Sequence, residues 1–232
     1  MNIGIFADSH YCNMDIACTT RRPKLSYKKL KFALQKFKNN KVDLIVCLGD
    51  LIDSDTNSKN TENLKKISTL ITESGIKCIC CMGNHDGFLF DKTSFEDISG
   101  LKTAPLYFIR EESLFIFLDA NFHSDGSKYS EIKTDWTDSN IPESQVEWLK
   151  EILKSNSAKQ VLVFIHQNLD MSVEKNYLVK NAPVIQQIFE QDGRKFVVFQ
   201  GHYHPGKHSV CNNIEYITLK AMCEGTENSY LL

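Results

Sequence analysis

The sequence predicts an α/β protein with two sheets facing each other. Three observations carry that expectation. Apolar runs at 2–6, 44–48 and 76–82 alternate with two helical patterns, and a β-α-β-α-β order implies a parallel sheet with right-handed crossovers. From Tyr107 the rhythm changes. Tyr107-Phe108-Ile109-Arg110 and Leu114-Phe115-Ile116-Phe117-Leu118, separated by Glu111-Glu112-Ser113, read as an antiparallel hairpin. No repeat, low-complexity block or Pro/Gly-rich linker divides the 232 residues, so residues 1–232 are expected to form one domain.

Each element has its own signal. In the first helix Tyr27, Leu30, Leu34 and Phe37 repeat at helical spacing, with Ser26 as the expected cap. In the second, Leu64, Ile67 and Ile71 share a face, and Gly75 stands where a left-handed terminator belongs. A polar loop separates Asp53 from that helix. Residues 119–141 are polar and aperiodic, which reads as a substrate-facing loop. Pro142 suits the first turn of a helix carrying Val146, Leu149 and Leu153. Strands follow at 161–165 and 196–200, around a helix with Val184, Ile185, Ile188 and Phe189. Runs at 207–211 and 214–219 flank Asn212-Asn213, a hairpin turn.

Composition narrows the function classes. A net charge of -2 gives no reason to expect duplex nucleic acid or an anionic membrane as partner. No run is long enough to span a bilayer. The first strand starts at residue 2 or 3 with no leader-like segment before it, so the expected location is cytoplasmic. Of eight Cys, Cys47, Cys78, Cys80 and Cys81 lie in or beside apolar strands, as reduced cysteines packed like small hydrophobes. Oligomeric state leaves no mark in the sequence.

Five apolar runs end in acid–base or metal-seeking residues: Asp8-Ser9-His10, Gly49-Asp50, Gly83-Asn84-His85-Asp86, His166, and Gly201-His202-Tyr203-His204. Any one could be turn chemistry, since Asp and Asn are common where strands end. Together they place four of the seven histidines at apolar strand ends. Carboxylate, imidazole and amide donors suit Mn, Fe, Zn or Ni, not a thiolate site. Asp8, His10, Asp50, Asn84, His166, His202 and His204 exceed what one tetrahedral ion uses. They match two ions sharing a carboxylate, which can clamp both oxygens of a displacement. His85 then points toward substrate, as proton donor or phosphoryl contact, with Asp86 as its orienting carboxylate. Asp53 reads as a cap or packing residue of its loop.

These blocks resemble those of the calcineurin-like metallophosphoesterases, in the family's order, over residues 8–204. The resemblance implies a four-layer αββα sandwich of two facing mixed sheets. It implies one ion on Asp8, His10, Asp50 and His204 and another on Asp50, Asn84, His166 and His202. It also implies direct attack by a metal-bound hydroxide, with Mn or Fe as the leading ions and Zn or Ni as alternatives. A narrower set is similar to the branch of Mn-dependent ADP-ribose/CDP-alcohol diphosphatases: Tyr11-Cys12, Arg21-Arg22, Asp135-Trp136, His166-Gln167-x-Leu169-Asp170, and the tail from Tyr216 to Gly225. That branch carries Gln in place of His10 and Thr in place of Tyr203.

The expected activity is therefore phosphodiester or nucleotide-diphosphate hydrolysis of a small phosphoester substrate. Tyr11, Arg22, His123 and Trp136 are the candidate substrate contacts; Arg21 and Arg22 read equally as phosphate contacts or as solvated loop arginines. The alternatives are a phosphomonoesterase, protein phosphatases included, and a catalytically silent scaffold on the same fold.

Overall fold

Short β-branched and aromatic runs pair into two sheets. The computed structural model describes residues 1–53, 57–226 and 230–231. In chain order the strands are β1 (Ile3–Phe6), β2 (Leu44–Cys47), β3 (Cys78–Cys80), β4 (Lys102–Thr103), β5 (Leu106–Arg110), β6 (Ser113–Phe117), β7 (Gln160–Phe164), β8 (Lys195–Gln200), β9 (Lys207–Cys211) and β10 (Ile214–Thr218). The first four form a parallel sheet in the order β1-β2-β3-β4. The others form a mixed sheet, β5-β6-β7-β8-β10-β9, with antiparallel pairs only at its two edges.

Among the described residues six α-helices join them: α1 (Pro23–Asn39), α2 (Asn57–Thr72), α3 (Asn84–Leu89), α4 (Lys92–Ser99), α5 (Glu143–Lys154) and α6 (Ala182–Asp192). Alternation along each strand divides the core into three. Ile45 and Cys47 face α1, α2 and α4, where Leu30, Phe37, Leu64, Ile67 and Phe95 are buried. Leu44 and Val46 face the other sheet and meet Phe115, Phe117 and Phe164. Leu114, Ile116, Val161 and Val163 face α5 and α6, against Leu149, Ile185 and Phe189. The layers therefore run helices, sheet, sheet, helices, the expected αββα sandwich. Strands buried on both faces read as unbroken apolar runs for this reason.

The same alternation settles the cysteines. Cys78 and Cys80 enter the helix-side core and Cys81 the core between the sheets. Cys78 and Cys81, three residues apart, thus face opposite ways and cannot clamp one ion. None of the eight cysteines, all among the described residues, forms a disulfide.

Some boundaries differ from expectation. Ser26 lies inside α1, where its hydroxyl donates to the Pro23 carbonyl at 2.7 Å. Pro23 opens that helix, its fixed φ and missing N–H costing nothing there. Pro142 caps α5 from outside. Strand β4 and helix α4 are too short to show a period in the sequence. The polar loop expected after Asp53 falls partly at 54–56, outside the described residues. Among the described residues no helix is long and apolar enough to cross a membrane.

Candidate metal centre

The C-terminal ends of β1, β2, β3, β7 and β8 open onto one edge of the sandwich, where open α/β sheets place their ligands. Asp8 and His10 follow β1, Asp50 follows β2, Asn84 follows β3, His166 follows β7, and His202 and His204 follow β8. All seven converge. His10 Nε2 is 3.2 Å from His204 Nε2 and 3.3 Å from Asp50 Oδ2. Asp8 Oδ1 lies 3.7 Å from His204 Nε2. On the other side, His166 Nε2 is 3.4 Å from the same Asp50 Oδ2 and 3.2 Å from Asn84 Oδ1. Asp50, His166 and His202 each offer a donor atom within 4.8 Å of the others. Asp50 Oδ2 is thus common to two clusters.

The surroundings orient these donors. Asp50 Oδ1 accepts the His85 backbone N–H at 2.8 Å, which leaves Oδ2 for the clusters. His166 Nδ1 is 2.6 Å from the Leu48 carbonyl and His204 Nδ1 is 3.0 Å from Glu224 Oε1. Each contact turns Nε2 inward, as outer partners of metal-binding histidines do.

The backbone is strained to the same end. Asp8, His10, Asp50 and His202 have φ of 54°, 44°, 48° and 66°. The left-handed region is uncommon outside glycine and costs about 1–3 kcal/mol per residue. Gly49, at φ 94°, makes the turn into Asp50. Gly83 is required for space instead: a Cβ there would lie 2.2 Å from Asp50 Oδ1.

Burial makes the charge balance acute. Asp8, Asp50, His10 and His166 are each at most 2% exposed. Burial pushes the Asp50 carboxyl up, but the imidazoles of His166, His85 and His10 overcome that and hold it well below the usual range. Burial, with a smaller push from Asp50, raises Asp8, partly offset by His166 and His204. Burial lowers His10 and His202 well below the ordinary histidine value. His166 is depressed by burial yet driven up to about 10 by Asp50.

The residues fit a pair of divalent ions on three counts. His202 Nε2 is buried without a hydrogen-bond partner. Nitrogen and oxygen lone pairs face one another at 3.2–3.4 Å across both clusters. Neutral imidazole, the form that burial favours at His10 and His202, is the metal-binding form.

The family model for calcineurin-like phosphoesterases matches residues 1–206. The chain belongs to that family. It is accordingly a metal-dependent phosphoester hydrolase, of a family whose site is dinuclear. No curated protein matches the chain. A dimetal phosphatase from Danio rerio shares its fold at 18% identity and TM-score 0.83, covering 98% of this chain and 90% of that one. A putative 5'-nucleotidase from Staphylococcus aureus matches at 11% identity and TM-score 0.60, over 95% of this chain and 48% of its own. The phosphopantetheinyl hydrolase of Mycobacterium tuberculosis matches at 10% and 0.53, over 95% and 90%.

Around this calcineurin-like centre the other candidates separate. Asp86 does not orient His85. Its carboxylate accepts the N–H groups of Gly83 at 3.0 Å, Leu51 at 3.1 Å and Ile52 at 3.3 Å, tying α3 to the loop after β2. Burial, then Asp50, pushes its pKa up to about 7. The carboxylate at His85 is Asp53, with Oδ1 3.2 Å from Nδ1. Arg21 Nη1 donates to both Asp53 oxygens at 2.9 and 3.0 Å. Asp53 was open to a capping reading because a turn carboxylate says nothing about what stands across the cleft.

Tyr11 does not reach the cleft; it is 3% exposed and packs on Tyr27. His123 is buried too, its Nδ1 3.5 Å from Asp138 and its ring on Tyr129, and it anchors the long loop. Arg22 donates to the Thr19 carbonyl at 3.4 Å and stands outside the cleft lining, whereas Arg21 lines it. Trp136 does line the cleft, 5.4 Å from both His202 and Tyr177. The cleft holds about 370 Å³, and Tyr177, Cys18 and Glu224 complete its wall. Tyr177 carried no sequence signal, since it lies in no motif and at no strand end, whereas Glu224 stands in the tail that resembles the diphosphatase branch but was assigned no role there.

Proposed function

We propose that this chain is a dinuclear-metal phosphodiesterase or nucleotide-diphosphate hydrolase. In this reading Asp8, His10, Asp50 and His204 hold one ion, and Asp50, Asn84, His166 and His202 the other. The observation that carries it is the position of Asp50 Oδ2, 3.3 Å from one histidine nitrogen and 3.4 Å from another on the opposite side. Bound there, the two ions would supply Lewis acidity toward a phosphoryl oxygen and acidify a water. The ligand set suits Mn or Fe, with Zn and Ni as alternatives.

The chain's own residues supply the rest. His85 Nδ1 lies 3.2 Å from Asp53 Oδ1 and its Nε2 meets Arg21 Nη1 at 3.4 Å; once substrate displaces that second contact, Nε2 donates a hydrogen bond or proton to the leaving oxygen. Arg21 keeps Asp53 ionised and fixed, because burial raises this carboxyl but His85 and Arg21 bring it below its usual value. Trp136 and Tyr177 form an aromatic wall beside His202, suited to a planar group such as a nucleobase. A small aryl monoester would leave that wall unused, which favours a nucleotide-linked substrate over a small aryl phosphate.

The test is a panel of nucleotide diphosphates, cyclic nucleotides and monoesters against Mn-loaded protein, with ion content measured alongside. About two ions per chain and a preference for a nucleotide-linked diester support the reading. Turnover of monoesters alone moves the protein to the phosphomonoesterases, and no turnover with both ions bound leaves it a scaffold.

A further inference from the structure

Beside the histidine pair at the first ion position lies a thiol that the seven-residue ligand set does not include. Cys223 is fully buried and free. Its sulfur and one ring nitrogen each of His10 and His204 lie within 4.8 Å of one another. Ion–sulfur and ion–nitrogen bonds of about 2.3 and 2.0 Å span up to about 4.3 Å, so one ion could bridge such a spacing after a slight contraction.

The residue is fixed in place. Its N–H donates to the Asp8 carbonyl at 3.0 Å and its carbonyl accepts from Arg22 N–H at 2.8 Å. The next residue, Glu224, turns His204 inward through Nδ1. Among the described residues the thiol makes no hydrogen bond. An independent observation also calls for a cation here: His10 Nε2 and His204 Nε2 face each other at 3.2 Å, with Asp8 Oδ1 3.7 Å from His204.

We propose that Cys223 is a thiolate donor to the ion held by Asp8, His10 and His204. The inference rests on the dinuclear reading given above. On ligation the S–H bond breaks, a sulfur–metal bond forms and the proton leaves to solvent; nothing is oxidised or reduced. A sulfur donor makes this position the softer of the two. It takes Zn, Fe(II) or Co(II) ahead of Mn, while the position on Asn84, His166 and His202, with nitrogen and oxygen donors only, keeps Mn.

Cobalt reports both halves of this argument separately. Loaded with Co(II), the full chain is expected to show visible ligand-field bands and, in addition, a near-ultraviolet sulfur-to-cobalt charge-transfer band. Cys223→Ser and Cys223→Ala should lose the charge-transfer band and keep the ligand-field bands, with thermal melts confirming that each variant is folded. Cys18→Ser, at the cleft wall, should keep both. In competition, Cys223→Ser should shift Zn-over-Mn occupancy by about tenfold or more toward Mn. Ligand-field bands without charge transfer in the parent protein would overturn the thiolate proposal and leave the dinuclear reading standing. So would a charge-transfer band that survives both Cys223 variants. Absence of every cobalt band would overturn the dinuclear reading and the thiolate with it.

Discussion

Gly83→Ala tests the centre without touching a ligand. The added Cβ would lie 2.2 Å from Asp50 Oδ1, 2.4 Å from Asp50 N and 2.7 Å from Asp50 Cγ. Relief to ordinary contact needs a shift of about 1 Å or more. The Asp50 side chain cannot simply rotate away, because its backbone nitrogen is in the clash too. Its Oδ1 also accepts the His85 N–H at 2.8 Å. Ligand distances tolerate only about 0.2 Å, so Asp50 cannot keep both clusters. The expected loss is about 10–100-fold in ion affinity, or about 1.4–2.8 kcal/mol. Overpacking should lower ion-free stability by a further 1–3 kcal/mol or so. The assay is ion titration followed by calorimetry, with bound Mn counted after dialysis. Gly75→Ala is the control, since a Cβ there meets nothing within 4 Å. Two ions bound to Gly83→Ala at the parent affinity would refute the reasoning.

Three further outcomes are expected. Asp53→Asn should lower kcat on an aryl phosphodiester about 10–100-fold with both ions retained, whereas Asp86→Asn should lower ion content and melting temperature; the reverse pattern would return Asp86 to His85. Trp136→Ala should raise KM for a nucleotide diphosphate by roughly 5–100-fold, the worth of one stacked base, and change KM for an aryl phosphate far less; equal effects would make Trp136 a loop anchor. Asp119 is half-buried, and that burial raises its pKa against the lowering effect of the Asn121 N–H donors. Its folded form therefore holds a proton that the unfolded chain releases, and that stabilising contribution is lost as pH rises through the folded value. Asp119→Asn should thus gain melting temperature over the parent as pH rises from the ordinary carboxylate range toward neutrality, and a pH-independent difference would count against this.

How much of this was legible in the sequence follows from the kind of signal each residue leaves. Strands such as Val161–Phe164 and the residues at their ends were readable, because burial on both faces leaves an unbroken apolar run. Asp8, His10, Asp50, Asn84, His166, His202 and His204 stood out because polar donors abut such runs. Their mutual distances, and the left-handed backbone at four of them, were not readable. Asp53 and Asp86 exchanged places for a related reason. Proximity in sequence favoured Asp86 as the partner of His85, but in the first turn of α3 its carboxylate folds back onto the Gly83 N–H. The carboxylate that reaches His85 comes from another strand's loop, 32 residues away from His85's own turn. Tyr11 sat beside a ligand in sequence yet turned into the core, where the chain leaves the left-handed backbone of His10. Tyr177 and Cys223 meet the site only through long-range packing, and no local pattern announces them; Glu224 belonged to the tail resemblance, which gave it no contact with His204.

The central claim is that Asp50 joins two ion positions. Anomalous scattering from crystals grown with Mn measures this directly. The account predicts two peaks about 3.5–4 Å apart, one on each side of Asp50 Oδ2, with His10 and His204 beside one and His166 and Asn84 beside the other. A single peak, or two peaks that do not share Asp50, would contradict it.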